Sequence, residues 1–523
     1  MMIVLLSRPE FEYDVHSLIK AFFPQETVEM YYTCPESEVD GRNVACTHHE
    51  AGAALDELLE NANQVVSISY HGLTLQQESA KPQNGRIEIS WQIQELKTLH
   101  ATQFEVDYAN RTATKNMLKQ NLYELLANGT HRHLPWGTLT GIRPTKIPMK
   151  LLEEGHTDAE ITAYMKETYL ASDEKIALSI DIAKRERNLL AQTDYQNGYS
   201  LYVGIPFCPS TCAYCSFTSY PLFTWRKRVD EYLDALELEL EDTALRFRDK
   251  KLNSVYIGGG TPTTLEPQQL KRLISKIKSS FDLSACIEFT VEAGRPDSIT
   301  REKLEVLHEA GIQRISVNPQ TMKQATLDLI GRHHTVEQTL ESYRLAREVG
   351  FDNINMDLIM GLPDENLEDV RHTMEIMEQL RPDNLTVHSL AIKRAARLTI
   401  FKDRYQNMQM VNTQEHMDLC EEYCRRMGLF PYYLYRQKGM AGNMENVGYA
   451  AEGKAGVYNI LIMEEKQTIV ACGAGATTKR VWTTPNADGT HRIERCENVK
   501  DVGLYIEKIQ DMIARKHALF EKE

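Results

Sequence analysis

The chain of 523 residues contains no apolar run long enough to span a bilayer, and no internal repeat or low-complexity tract. A membrane helix needs about 20 consecutive apolar residues. The apolar run near the start, Met1 to Leu6, is too short even for the core of a secretory signal, so a cytoplasmic protein is expected. Positive charge is also in short supply. There are 59 Lys and Arg against 74 Asp and Glu, a net charge of −15, which argues against non-specific binding to nucleic acid or anionic membrane. An anionic substrate would need a local basic pocket. Cysteine is sparse: ten scattered over this length make no disulfide framework, and a reducing compartment keeps them as thiols. What is present, 42% hydrophobic residues, is ample for packed cores, and the length is a prior for about three domains.

Three of the cysteines stand together. Cys208, Cys212 and Cys215 lie in the stretch from Gly204 to Phe217 at a C-x3-C-x2-C spacing. A closed structural zinc site wants four ligands, and a cluster held only for electron transfer usually takes four thiolates. Three thiolates on a four-iron cluster leave one iron open to a small molecule. The spacing alone also admits a redox pair with a bystander, or part of a zinc site completed from elsewhere. The flanks favour the open cluster. Tyr199 to Ile205 reads as a short buried strand, which puts the cysteines at its C-terminal end, where α/β barrels build their sites, and Tyr214 adds an aromatic flank.

Strand and helix patterns alternate from this loop onward. Val229, Leu233, Leu236 and Leu240 follow helical spacing, Ser254 to Gly259 is a strand, and Pro267 to Ser280 returns to helix. Further strand-like runs are Ile287 to Ala293, Gln313 to Asn318, Asn353 to Met360 and Asn384 to Leu390. These six β/α units demand a parallel sheet with right-handed crossovers, and they suffice for an open partial barrel.

Polar groups cluster just after the strands. Gly258, Gly259 and Gly260, followed by Thr261, would let a ligand approach the backbone and its carbonyls. Glu292, Gln320 and Asp357 end the next three strands, a set that suits a ribose and an amino acid moiety. Arg332, beside His333 and His334, is a candidate cation for a carboxylate; a solvated Arg is the alternative.

The stretches Tyr202 to Cys215, Gly258 to Pro262, Gly311 to Val317, Asn355 to Pro363 and Ala471 to Ala476 resemble the radical S-adenosylmethionine (SAM) family of oxygen-independent coproporphyrinogen III oxidases and their haem-chaperone relatives. The flanks Leu139 to Lys146 and Tyr432 to Gln437 resemble its HemZ branch, described as coproporphyrinogen dehydrogenase-like. The resemblance implies a (β/α)6 TIM-like barrel in which Cys208, Cys212 and Cys215 hold a [4Fe–4S] cluster. It implies that SAM is bound by Tyr202, Gly258, Gly259, Gly260, Thr261, Glu292, Gln320, Arg332 and Asp357, with no catalytic side chain beyond the cluster and this site. The implied reaction is oxidative decarboxylation of coproporphyrinogen III to protoporphyrinogen IX through a 5′-deoxyadenosyl radical, fed by a donor such as flavodoxin or ferredoxin. A haem-binding chaperone and a radical enzyme acting on another tetrapyrrole are the alternatives. Two positions depart from the oxidase pattern: Gly204 replaces a histidine and Phe217 replaces a fourth cysteine. Arg314, Lys393, Arg394 and Arg397 are available to meet substrate carboxylates, against the plainer expectation of solvated cations.

The expected division is an N-terminal accessory α/β or α+β domain at 1–165, a helical connector at 166–198, the barrel at 199–398 and a C-terminal α+β domain at 399–523, in a monomer. Val65 to Tyr70 reads as a strand, Lys115 to Leu126 as helix, and residues 500 to 519 as a terminal amphipathic helix. His131 with His133, and His48 with His49, lack further ligands nearby and are expected as surface histidines. Cys420 and Cys424 share a helix face with Leu419 and Met427, so packing is expected there.

Overall fold

The computed structural model describes residues 1–39, 42–46, 51–54, 59, 62–72, 84–141, 143–391, 393, 396–400, 408–437, 440, 442, 444–486 and 491–522. The chain divides into two compact units, residues 1–142 with 153–180, and residues 143–152 with 181–523. Among the described residues no helix is long and apolar enough to cross a membrane.

The first unit is built on a seven-stranded sheet. Its central strand, Met2–Leu6, is buried along its whole length and pairs in parallel with Val28–Val39 and Gln64–His71. Further out the pairing is antiparallel, and Asn84–Ile93 alternates as a half-covered strand should, with Ile87, Ile89 and Trp91 inward. Those side chains meet Val15, Leu18 and Phe22 of the helix Glu12–Phe22 and Leu118 and Leu122 of the helix Arg111–Thr130. The buried indole of Trp91 donates to Gln64 Oε1 at 3.0 Å. His131 and His133 are exposed, and His48 and His49 lie outside the described residues.

The second unit carries six parallel strands, β1 (Gly198–Ile205), β2 (Lys251–Gly259), β3 (Glu288–Gly294), β4 (Arg314–Val317), β5 (Ile354–Met360) and β6 (Asn384–Ser389), each paired with the next. They coincide with the six runs read from the sequence. Helices α1 (Val229–Arg246), α2 (Pro267–Ser280), α3 (Arg301–Glu309), α4 (Val336–Val349) and α5 (Leu367–Leu380) connect them. Their starts are written locally. Glu266 with Gln269, Thr335 with Gln338, and Asn366 with Asp369 form reciprocal capping boxes, and the Thr300 side chain caps α3. Leu270, Leu273, Ile274 and Ile277 give α2 one buried face, each worth about 1.5–3 kcal/mol of burial.

Further strands extend the sheet beyond both β1 and β6. After the helix α6 (Gln414–Arg426), β7 (Phe430–Tyr435) and β8 (Asn446–Ala450) run antiparallel beyond β6. Helix α7 (Val457–Glu464) follows. Then β9 (Thr468–Cys472) lies parallel beside β1, with β10 (Thr477–Pro485) and β11 (His491–Glu497) outside it. Strands from both sides of residue 399 therefore belong to one eleven-stranded sheet. Cys420 and Cys424 on α6 are fully buried, with Cys420 Sγ 3.6 Å from Met360 Sδ. The terminal helix is two, α8 (Val502–Glu507) and α9 (Ile509–Glu521), broken at Lys508.

A buried ion pair ties this end of the chain to the first βα unit. Lys516 Nζ lies 2.8 Å from Glu239 Oε1 of α1, and Glu239 also accepts from the Tyr505 hydroxyl at 2.5 Å, Gly473 N at 2.8 Å and Asn498 Nδ2 at 2.7 Å. With its oxygens so engaged, the carboxylate can stay charged out of water.

Candidate active site

The cysteines leave β1 on a short extended piece, Phe207–Cys208, paired with Tyr220–Pro221. Cys215 N then donates to Cys212 O at 3.2 Å, and Ala213 N to Ile330 O at 2.8 Å, which fixes the loop against the far side of the barrel mouth. Cys208 and Cys212 are buried and Cys215 is half-buried. Burial pushes the Cys208 thiol up to about 12 and raises that of Cys215. As free thiols they would stay protonated; binding iron removes that proton. Two polar neighbours reach the sulfurs: Thr261 Oγ1 lies 3.6 Å from Cys208 Sγ, and Arg295 Nη1 lies 4.0 Å from Cys212 Sγ. Arg295 is itself buried and is held by Asp297 at 2.6 Å and by Ser210 O at 2.9 Å.

The glycines after β2 have a packing reason. Gly260 N donates to Ile205 O at 2.7 Å and Thr261 N to Phe207 O at 2.8 Å, stitching this turn onto the cysteine strand. Gly259 has φ +111°, and a β-carbon on it would meet Ile205 O at 2.9 Å. A β-carbon on Gly260 would meet Phe207 O at 2.6 Å. The close approach is first between two segments of the protein, and both glycines also line the cavity beyond.

That cavity, of about 250 Å³, brings together Cys208, Cys212 and Cys215 with Gly259, Gly260, Thr261, Glu292, Gln320, Arg332 and Asp357. Gln320 is held at φ 71° with its backbone bonded across to β5, through Gln320 N to Asp357 O and Ile359 N to Gln320 O, both at 2.9 Å. Arg332 is buried, donating to Asn318 O at 2.6 Å and to the Tyr214 hydroxyl at 3.2 Å. The two carboxyls differ. Burial, with the nearby charge of Asp357, raises Glu292 to about 7 although the Tyr256 hydroxyl donates to it. Burial would raise Asp357 too, but His388, Asn355 and Thr386 outweigh it and hold that carboxyl below its ordinary range. Asn355 Nδ2 donates to Asp357 Oδ1 at 2.7 Å, and His388 Nε2 lies 3.8 Å from the same oxygen. One acid is thus firmly ionised while its neighbour is poised near neutrality.

Some expected residues stand elsewhere. Tyr202 does not line this cavity; its ring lies beside the stacked pair Tyr256 and Tyr458, with centroids 6.2 and 6.4 Å away. Gly258 lies just behind the wall, where a β-carbon would meet Glu292 Oε2 at 2.9 Å. Arg314 opens β4 rather than ending it, so it is buried at the opposite end of the strand from the cavity. Lys393 lies on the cavity wall, Arg397 donates to Thr211 O at 3.4 Å, and Arg394 lies outside the described residues. His333 is exposed; His334 is buried and held down to about 3, mainly by burial and then by Arg332, so it stays neutral. Arg295 and His388, both on the cavity wall, were not singled out in the sequence. The signal was present, since one follows β3 and the other lies at the end of β6.

Among the described residues, no group of three or more His, Cys, Asp or Glu side chains is arranged to hold a single metal ion. The three thiols instead face a shared cavity with a guanidinium and a hydroxyl beside them, and this fits a ligand larger than one ion.

The model of the radical SAM superfamily matches residues 202–377. The oxygen-independent coproporphyrinogen-III oxidase-like protein HemZ of Bacillus subtilis is 41% identical over 440 residues, which cover 82% of this chain and 86% of that protein. The haem chaperone HemW of the same organism is 42% identical over 198 residues, 37% of this chain and 51% of that one. A solved structure of coproporphyrinogen III oxidase (HemN) from Escherichia coli aligns at a TM-score of 0.48 and 23% identity, covering 62% of this chain and 72% of that chain.

Proposed function

The chain belongs to the radical SAM family of coproporphyrinogen III oxidase-like proteins, a family that uses a [4Fe–4S] cluster and SAM, and we propose that it oxidatively decarboxylates coproporphyrinogen III. The observation that carries the reading is the single cavity in which three thiols face Glu292, Gln320, Arg332 and Asp357 and which continues to His388 and Lys393.

In this reading Cys208, Cys212 and Cys215 would hold the cluster, and SAM would bind beside it in the same cavity. When bound, the pair would supply the radical chemistry that removes a hydrogen atom from an unactivated carbon. The protein's share is placement and exclusion of water. Arg295 offsets the negative charge of the thiolates. Gly259, Gly260 and Thr261 would hold the methionine end, Glu292 would accept from its ammonium, and Asp357, oriented by Asn355, would meet the ribose. Gln320 and Arg332 complete the contacts. Lys393 and His388, on the wall beyond Asp357, are placed to meet a propionate carboxylate of the substrate.

Anaerobic turnover of reconstituted protein with coproporphyrinogen III, SAM, reductant and an electron acceptor tests this. 5′-Deoxyadenosine together with vinyl products is expected; deoxyadenosine without vinyl products would refute the substrate. The 42% identity to a haem chaperone over 198 residues, with Gly204 and Phe217 in place of the oxidase residues, favours haem binding as the second reading. Stoichiometric haem binding without decarboxylation would select it.

A further inference from the structure

The segment that follows the cysteine loop carries exposed aromatic and cationic side chains that the site does not use. Phe223 is 79% exposed, and the short helix Leu222–Trp225 that bears it buries none of its residues. A single exposed apolar side chain is ordinary; what matters is its attachment. Pro221 stands opposite Cys208 in the paired strands. The Trp225 ring lies 5.7 Å from that of Tyr220 and 6.5 Å from that of Phe207, the fully buried residue next to Cys208. An aromatic run therefore leads from this surface to the first cluster thiol.

The same segment continues as Arg226, Lys227 and Arg228, three successive cations in a chain of net charge −15. Arg228 is bonded to Glu231 at 2.8 Å and lies over the Trp225 ring, whereas Arg226 and Lys227 make no ion pair with a described residue. Of the acids nearby, Glu231 pairs with Arg228, while Asp230 accepts from Gln269 at 2.9 Å and Asp501 caps α8 through Leu504 N at 2.8 Å.

We propose that Phe223, Trp225, Arg226 and Lys227 form the docking surface for a small acidic protein that carries one electron at a time, of the flavodoxin or ferredoxin class. The proposal rests on the cluster assignment above. The carrier is oxidised by one electron and the cluster reduced by one, with no bond made or broken in this chain. The net negative charge of the chain repels an acidic carrier, and the run Arg226 to Arg228 attracts it locally, which orients the encounter.

The test uses full-length reconstituted protein and a bacterial flavodoxin. R226E/K227E should weaken flavodoxin binding, read by titration, by about tenfold or more and remove most of its salt dependence. Phe223→Ala should weaken it at all salt concentrations. In all variants iron content and reduction by dithionite, read by electron paramagnetic resonance, should match wild type while reduction by flavodoxin slows. Unchanged flavodoxin affinity, an equal loss of dithionite reduction, or binding of the patch to anionic vesicles instead would overturn the proposal. A wild-type protein that takes up no iron would overturn the cluster assignment itself, and flavodoxin titration of that protein would still read the surface independently.

Discussion

A β-carbon on Gly260 would stand 2.9 Å from Cys208 Sγ, closer than side chains approach one another. The other obstacle, Phe207 O at 2.6 Å, is backbone and cannot swing aside. Gly260→Ala should therefore displace the first thiol and lower the iron bound per chain severalfold, while Gly141→Ala, where nothing lies within 4 Å, should leave it unchanged. Iron and sulfide assays after anaerobic reconstitution decide this.

Cys208→Ala, Cys212→Ala and Cys215→Ala should each abolish cluster loading. Cys420→Ala should retain it, because that thiol packs against Met360 and has no part in the cavity. Equal iron content in all four variants would remove the basis of the assignment.

Glu292 gives the apo protein a pH signature. Its carboxyl is raised from 4.5 to about 7, so across that window the folded chain keeps a proton that the unfolded chain has released. Stability must then fall as pH rises from 4.5 towards 7, by about 3 kcal/mol in total. Urea midpoints measured across the window should show the slope, and Glu292→Gln should remove it. SAM affinity should run the other way, tightening as Glu292 ionises to meet the ammonium; equal pH dependence in wild type and Glu292→Gln would exclude that contact.

Lys516→Met strands Glu239 as an uncompensated buried charge. Unfolding should cost about 3–5 kcal/mol less, visible in the denaturant midpoint. Adding Glu239→Gln should recover part of the loss, since the remaining buried group is neutral. A single variant as stable as wild type would mean that the pair does not hold the C-terminal helices.

The six barrel strands were legible because each is a compact apolar run that ends in glycine or polar residues, and the helix starts because their caps are local. The cysteine loop was legible for the same reason. Side-chain direction and strand polarity were harder. Arg314 and Glu292 both flank apolar runs, yet Arg314 begins its strand, opposite Thr290, while Glu292 stands two residues further toward the cavity on the neighbouring strand. The resemblance groups Tyr202 with the glycines as a SAM contact, but its ring turns toward Tyr256 and Tyr458. Thr468–Cys472 could not have been placed beside β1 from local pattern, because that pairing joins residues far apart in the chain.

That late partner strand bears on how the protein is made. Among the described residues the outer edge of β1 is paired by β9, and 267 positions separate Ile205 from Cys472. At roughly 5–20 residues per second, a ribosome leaves that edge bare for roughly fifteen to fifty seconds, with the cysteine loop already emerged. Bare edges recruit other strands. The nascent chain should therefore depend on chaperone shielding during that interval, and cluster insertion is best timed after release, when the edge has closed.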